Sequence, residues 1–357
     1  MALKTEQMTG LERIVAALQH KEADRVPAGP LVCGAARRVY GITYDEWAQD
    51  ADLAVQSMVH AHKLIGMDGV LMLVDLSIEA ADFGQSMVYP IEDTPHPVYR
   101  DPILKSVEDY AKIEYIDPRK AKRMQHMVKY TDGVMKALGK ETGVMSFVYG
   151  PLGILSMMRS AEKLFLDCMK HPEAVIAAEE VITEVLLEQI RALGETGVHA
   201  IVLDTLFASG SIMSKQLWKK MEGPFTTKLA DECRKVGALP IVHNCGNNVY
   251  FDVQIEAMQP AAISFAYLPD DCKTPQELKE KYGDKVCLIG YVPPSPDMMM
   301  HSPEQVKEIC REEIQVLAPG GGYILSTGCE FPPNGPLLNA IAMMEAAEEY
   351  GRYPIVQ

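Results

Sequence analysis

Short apolar, β-branched runs alternate along this chain with longer stretches of helical period. Eight runs, at 26–34, 69–75, 143–150, 199–206, 239–246, 261–267, 286–292 and 323–330, are bounded by Gly, Pro or Asp and read as strands. Runs such as GVLMLVD, HAIVLD and ALPIVH are apolar throughout rather than alternating, which suits strands covered on both faces of a parallel sheet. Helical patterns lie between them at 161–193 (split near His171-Pro172), 214–236, 274–282, 303–317 and 336–350. Ser214, Thr274 and Ser302 stand where N-caps belong, and Gly237 and Gly351 where C-caps belong. Eight strands alternating with helices predict an α/β fold of the TIM (β/α)8 barrel type, with an N-terminal extension and an inserted segment after the second strand. Residues 1–357 read as one domain, with the Pro-rich segment 83–103 as an excursion over the barrel top. The competing architecture is a doubly wound open sheet. No strand runs into G-x-G-x-x-G, however, and Gly320-Gly321-Gly322 precedes its strand instead of following it.

Composition narrows the partners. The 34 basic and 49 acidic side chains give a net charge of −15, which argues against nucleic acid and against an anionic membrane surface. The basic run 119–123 reads as a solvated helix face. No stretch reaches the roughly 18 apolar residues of a membrane helix, and the N-terminus has no apolar core before a cleavage site. Eight cysteines without close pairs are no disulfide framework, so a reducing cytoplasm is the expected location.

Two runs carry the candidate chemistry. IVHNCG holds His243 and Cys245, and ILSTGCE holds Cys329. His-x-Cys with a distant lone Cys is not a zinc-finger spacing. It offers three borderline-soft ligands and leaves a fourth position open, as catalytic Zn²⁺ is usually held. Both runs are strands emptying into loops, and a closed barrel brings such ends over one pocket. Taken singly, each residue has a plainer reading: a buried Cys is usually a small hydrophobe, and a buried His a satisfied polar group. Asp75, Tyr149 and Asp204 also fall at strand ends. The aspartates either act on substrate or cap loops and orient a ligating imidazole; Tyr149 either donates to a substrate oxygen or packs. Arg37 and Arg38 either hold an anionic substrate or lie in solvent. Two thiolates and a neutral imidazole cancel the charge of Zn²⁺, which favours activating a thiol or polarising a leaving oxygen over making hydroxide, hence alkyl transfer over hydrolysis.

At LPIVHNCGN, at the segment 77–84 and at TGCEFPPNGPLLNAIAMMEAAEEYG, the chain resembles the uroporphyrinogen decarboxylase superfamily, and within it the zinc-dependent corrinoid methyltransferases. The decarboxylases carry Arg-Gln-Ala-Gly-Arg after the first strand, where this chain has Gly34-Ala35-Ala36-Arg37-Arg38, and a His where it has Cys329. The resemblance implies a barrel fold, zinc on His243, Cys245 and Cys329, and Glu79 as a fourth ligand or nearby acid. It also implies methyl transfer to or from the cobalt of a corrinoid. The D-x-H-x-x-G pattern of a corrinoid-binding domain is absent, so the corrinoid is expected on a partner protein. The small molecule is then a methyl donor, with a methyl ether favoured, or a thiol acceptor of the coenzyme M kind. The aromatic and apolar residues near the strand ends (Phe147, Tyr149, Leu206, Phe207, Tyr250, Phe251, Tyr267) suit an aryl ether. Two other readings remain open: a metal-independent lyase of the decarboxylase kind, and a zinc-stabilised adaptor that only docks a corrinoid protein.

Overall fold

Seven short parallel strands form one curled sheet, and the segment 25–31 joins its two edges. The computed structural model describes residues 8–295 and 297–355; the first seven residues of the N-terminal stretch lie outside them. In chain order the strands are β1 (Gly69–Met72), a hairpin of β2 (Met87–Val88) and β3 (His96–Pro97), then β4 (Gly143–Tyr149), β5 (Ala200–Asp204), β6 (Leu239–Asn244), β7 (Ala262–Phe265), β8 (Cys287–Val292) and β9 (Tyr323–Thr327). The sheet order is β1-β4-β5-β6-β7-β8-β9, every pair parallel. Every residue of β1, β5, β7 and β9 is buried, as continuous apolar runs covered on both faces require.

The run 26–34, expected to be the first strand, is the main departure. It makes a single parallel bridge, Ala28 to Leu325. Asp68 N donates to Ala28 O at 2.9 Å, Gly29 N to Leu325 O at 2.9 Å, and Leu325 N to Pro27 O at 2.9 Å, so the segment still links β1 to β9. Pro27 and Pro30 have no N–H to donate, which breaks the ladder after one rung. A Cβ on Gly29 would sit 2.8 Å from Gly69 O, so glycine is what lets the chain pass this close to β1. Cys33–Ala36 then turn into a short 3-10 helix.

The helices largely follow the expected pattern. Ala161–Lys170 and Pro172–Gly194 divide at His171. The Ser214, Thr274 and Ser302 side chains accept from Leu217 N, Glu277 N and Gln305 N as N-caps. The helix expected over 214–236 is two, Lys215–Met221 and Gly223–Lys235. Pro224 begins the second, and buried Glu222 at the junction accepts from Trp218 Nε1 at 2.8 Å.

The turn of the hairpin lies against the helix start at Tyr44 and the loop that follows β9. Tyr44 N donates to Ile91 O at 2.7 Å, and Asn334 Nδ2 to Glu92 O at 2.9 Å. Among the described residues no helix is long and apolar enough to cross a membrane, and all eight cysteines are free.

Candidate metal centre

Register does the first part of assembly. Tyr149 pairs with Asp204, Asp204 with His243, and His243 with Ser264, a row running across β4, β5, β6 and β7. Cys245 follows two residues after His243, and Cys329 two residues after the end of β9. The imidazole and the two sulfurs lie within 4.8 Å of one another. Zn–S and Zn–N bonds of roughly 2.3 and 2.0 Å need the donors slightly closer than that upper bound, a small inward turn of the side chains, and the donor types are those zinc prefers. The chemistry of the set therefore fits zinc.

Ser264 Oγ lies 2.9 Å from His243 Nδ1, which leaves Nε2 for the sulfurs. Burial works against a charged His243, but the hydrogen bond to Cys329 and the nearby Asp204 raise its pKa. Contact with Cys329 holds Cys245 well above an ordinary thiol, and contact with Cys245 and His243 holds Cys329 well below one.

A cavity of about 80 Å³ adjoins the three donors. Leu31, Leu71, Leu73, Leu76, Phe147 and Leu206 supply its apolar wall, and Asp204 and Glu330 its carboxyls. Asp204 Oδ1 accepts from Leu206 N at 3.1 Å. Burial raises its pKa to about 7, with Cys329 adding to the shift and His243 opposing it. Glu330 Oε1 accepts from Gly34 N at 3.3 Å and Tyr44 Oη at 3.4 Å. The residue keeps some exposed surface, yet its carboxyl sits deep enough that burial, with Cys329, pushes it to about 8.

The other expected site residues stand further back. β1 ends at Met72 rather than at 75, because the chain peels off to place Leu73 and Leu76 in the cavity wall. Asp75 instead accepts from Ser77 N at 2.8 Å and is ion-paired with Arg123. Glu79, in the helix Ile78–Asp82, is outside the three-residue donor group; burial raises it to about 8, with the Tyr149 backbone N–H opposing. Tyr149 is buried beside Asp204 with its ring against Gly153, behind the lining. Arg37 Nη1 donates to Pro333 O at 2.7 Å, and Arg38 Nη1 donates to Gly335 O. Both arginines hold the loop after β9. Of the seven residues read as an aryl-ether lining, only Phe147 and Leu206 line the cavity. Phe251 packs on Phe265, and Tyr267 is half in solvent.

Sequence reasoning missed Ser264, Glu330 and Cys33. Ser264 had a signal, as the lone polar residue inside the run AAISFA. Glu330 directly follows Cys329 but looks like any loop carboxylate until Tyr44 and Gly34 are placed against it.

A parallel strand–helix barrel with its polar groups gathered where the strands end defines a class, and comparison bears this out. Residues 9–350 match the family described as uroporphyrinogen decarboxylase (URO-D), and the chain belongs to that family. Particular relatives follow. The chain is 22% identical to the methylcobamide:CoM methyltransferase MtbA of Methanosarcina acetivorans, over 96% of this chain and 99% of that one. It is 22% identical to the uroporphyrinogen decarboxylase of Helicobacter pylori (strain Shi470), over 83% and 84%. Among solved structures, a methyltransferase from Methanosarcina mazei superposes with a TM-score of 0.82 at 20% identity, covering 96% of this chain and 99% of that one. At that identity the likeness establishes the fold.

Proposed function

We propose that this chain is a zinc-dependent methyltransferase that moves a methyl group between a small neutral molecule and the cobalt of a corrinoid carried on a partner protein. The observation that carries the reading is the convergence of His243, Cys245 and Cys329 within 4.8 Å beside a largely apolar cavity. The relatives named methylcobamide:CoM methyltransferases, matched over nearly their whole length, support corrinoid-dependent methyl transfer. A bound zinc ion would supply a Lewis acid with one position open to a substrate oxygen or sulfur.

The chain's own residues do the rest. Ser264 fixes the His243 ring through Nδ1, presenting Nε2 as the ligand atom. The leucine wall leaves the cavity mostly apolar, and Asp204 and Glu330, raised to about 7 and 8, can hold a proton near the leaving atom at neutral pH. Loss of a methyl group from an ether leaves an alkoxide, for which such a proton is useful.

The lining also favours a neutral methyl ether over a thiol of the coenzyme M kind. Coenzyme M carries a sulfonate, and no Arg or Lys lines the cavity to meet one, which would leave its charge unneutralised. Leucine rather than aromatic lining leaves the ether's other substituent open.

The test couples zinc analysis of wild type and Cys329→Ser to a spectroscopic methyl-cobalt assay with neutral methyl ethers and with thiols. We expect zinc content to fall from one per chain towards zero in the variant, and cobalt methylation to fall at least 100-fold. Full zinc retention in Cys329→Ser would overturn the three-donor site. Methyl exchange with anionic thiols and not with ethers would overturn the substrate.

A further inference from the structure

The basic run 119–123 does not fold as one solvated face. Arg119 is exposed and paired with Glu188 and Glu195, but the run then enters the helix Lys122–Leu138 and turns inward. Lys122, His126 and Lys129 recur at i, i+4 and i+7 on one side of that helix. With Arg123 they line a cavity of about 180 Å³, apart from the one beside the metal donors. Tyr89, from the hairpin, closes another wall, its ring centroid 5.4 Å from the Arg123 guanidinium carbon. In a chain of net charge −15, no acidic residue lines this cavity. Among the described residues no salt bridge engages Lys122 or Lys129.

The helix N-terminus is already spoken for: the Asp82 carboxylate accepts from Arg123 N at 3.0 Å and Met124 N at 2.8 Å. What stays open is on the side chains. Arg123 is buried; Nη1 donates to Ala48 O at 2.6 Å and Nη2 pairs with Asp75, but Nε has no partner. His126 is 8% exposed, and its Nε2 is buried without a partner. Buried nitrogens of this kind are normally satisfied, and both belong to side chains that line this one basic cavity, so a small turn of either side chain towards a ligand oxygen would satisfy them.

We propose that this cavity binds a compact oxyanion of the phosphate class, its oxygens accepting from Arg123 Nε and His126 Nε2 and its charge matched by Lys122 and Lys129. Burial and the positive charge of Arg123, Lys129 and Lys122, against Asp50, push the His126 ring down to about 4, the field that a bound anion relieves. The site also reaches the metal corner. The guanidinium that offers Nε to the anion holds Asp75 with Nη2, and Asp75 lies in the loop whose Leu73 and Leu76 wall the metal-site cavity.

The test titrates the full-length protein with inorganic phosphate at constant ionic strength. Calorimetry and the His126 imidazole resonances, assigned with His126→Gln, are the readouts. The expected result is saturable binding of one phosphate per chain, with a His126 shift that follows the same isotherm. Lys122→Ala/Lys129→Ala, at two exposed positions, should bind about tenfold more weakly or worse, with unchanged thermal melting. Parallel titrations with methyl phosphate and dimethyl phosphate separate the sources: tighter binding of the diester marks a phosphodiester on a larger ligand, and tighter binding of inorganic phosphate or the monoester marks a free phosphate. The proposal is overturned if chloride alone reproduces the His126 shift, if the double variant binds like wild type, or if nothing saturates below about 10 mM.

Discussion

Asp75 and Asp204 are buried aspartates at the same end of one sheet, and their neighbours set them apart. Asp75 follows β1 and is ion-paired with Arg123, itself 5% exposed. Burial raises its pKa and Arg123 pulls it back. Asp204 ends β5, forms no salt bridge among the described residues and has only the His243 imidazole to oppose its burial, lines the cavity beside His243, Cys245 and Cys329, and rises to about 7. One carboxylate is locked into the scaffold; the other is left free to exchange a proton. Strand-end position alone does not mark a catalytic acid, and the charge of the facing group decides.

Removing the partner from the locked side should have the largest effect. Arg123→Ala strands a buried carboxylate, and chemical denaturation should show a loss of about 3–5 kcal/mol; a loss under about 1 kcal/mol would mean that the pair contributes little. Asp204→Asn should do the reverse. The folded pKa of about 7 lies above the ordinary carboxyl value, so the folded state keeps a proton that the unfolded state has released. Stability of chelator-treated wild type should therefore fall as pH rises from about 4 to 7 and level off above. The Asn variant should lack that slope, ending more stable at pH 8 by up to about 4 kcal/mol while losing activity. Parallel pH–stability curves for the two proteins would remove Asp204 as the raised carboxyl.

Two smaller changes sharpen the contrast. Ser264→Ala frees the His243 ring and should weaken zinc binding about 10–100-fold in competition with a chromophoric chelator, without unfolding the protein. Glu79→Gln should leave zinc affinity unchanged and stability within about 1 kcal/mol at pH 7, because a carboxyl raised to about 8 is already neutral there. Weaker zinc binding in that variant would bring Glu79 into the metal's coordination.

Much of this was legible from residue order. Apolar runs marked seven sheet strands because both faces are covered, and cap residues marked helix starts because their side chains accept from the first turn. His243, Cys245 and Cys329 could be grouped because parallel strands all end on one side. What was not legible depends on pairings between distant segments. Pro27 and Pro30 were visible, but an apolar run outweighed them, and the ladder they interrupt exists only once Leu325 lies alongside. Ser264 matters through its register with His243. Arg123 read as a solvated charge because burial of a long cation depends on Asp75 and Ala48, neither near it in sequence.

The seam between the first and last parts of the barrel bears on how the protein is made. Ser326 Oγ donates to Gly29 O across 297 positions, and Leu31 N to Thr327 Oγ1 across 296. Leu31 and Cys33 meet Cys329 and Glu330 on that same seam. A growing chain thus presents His243 and Cys245 long before Cys329 leaves the ribosome, so the three-donor cluster is incomplete until the last strand is made. Contacts this remote in sequence form slowly. Assembly of the His243, Cys245 and Cys329 cluster is thereby tied to the final closure of the barrel.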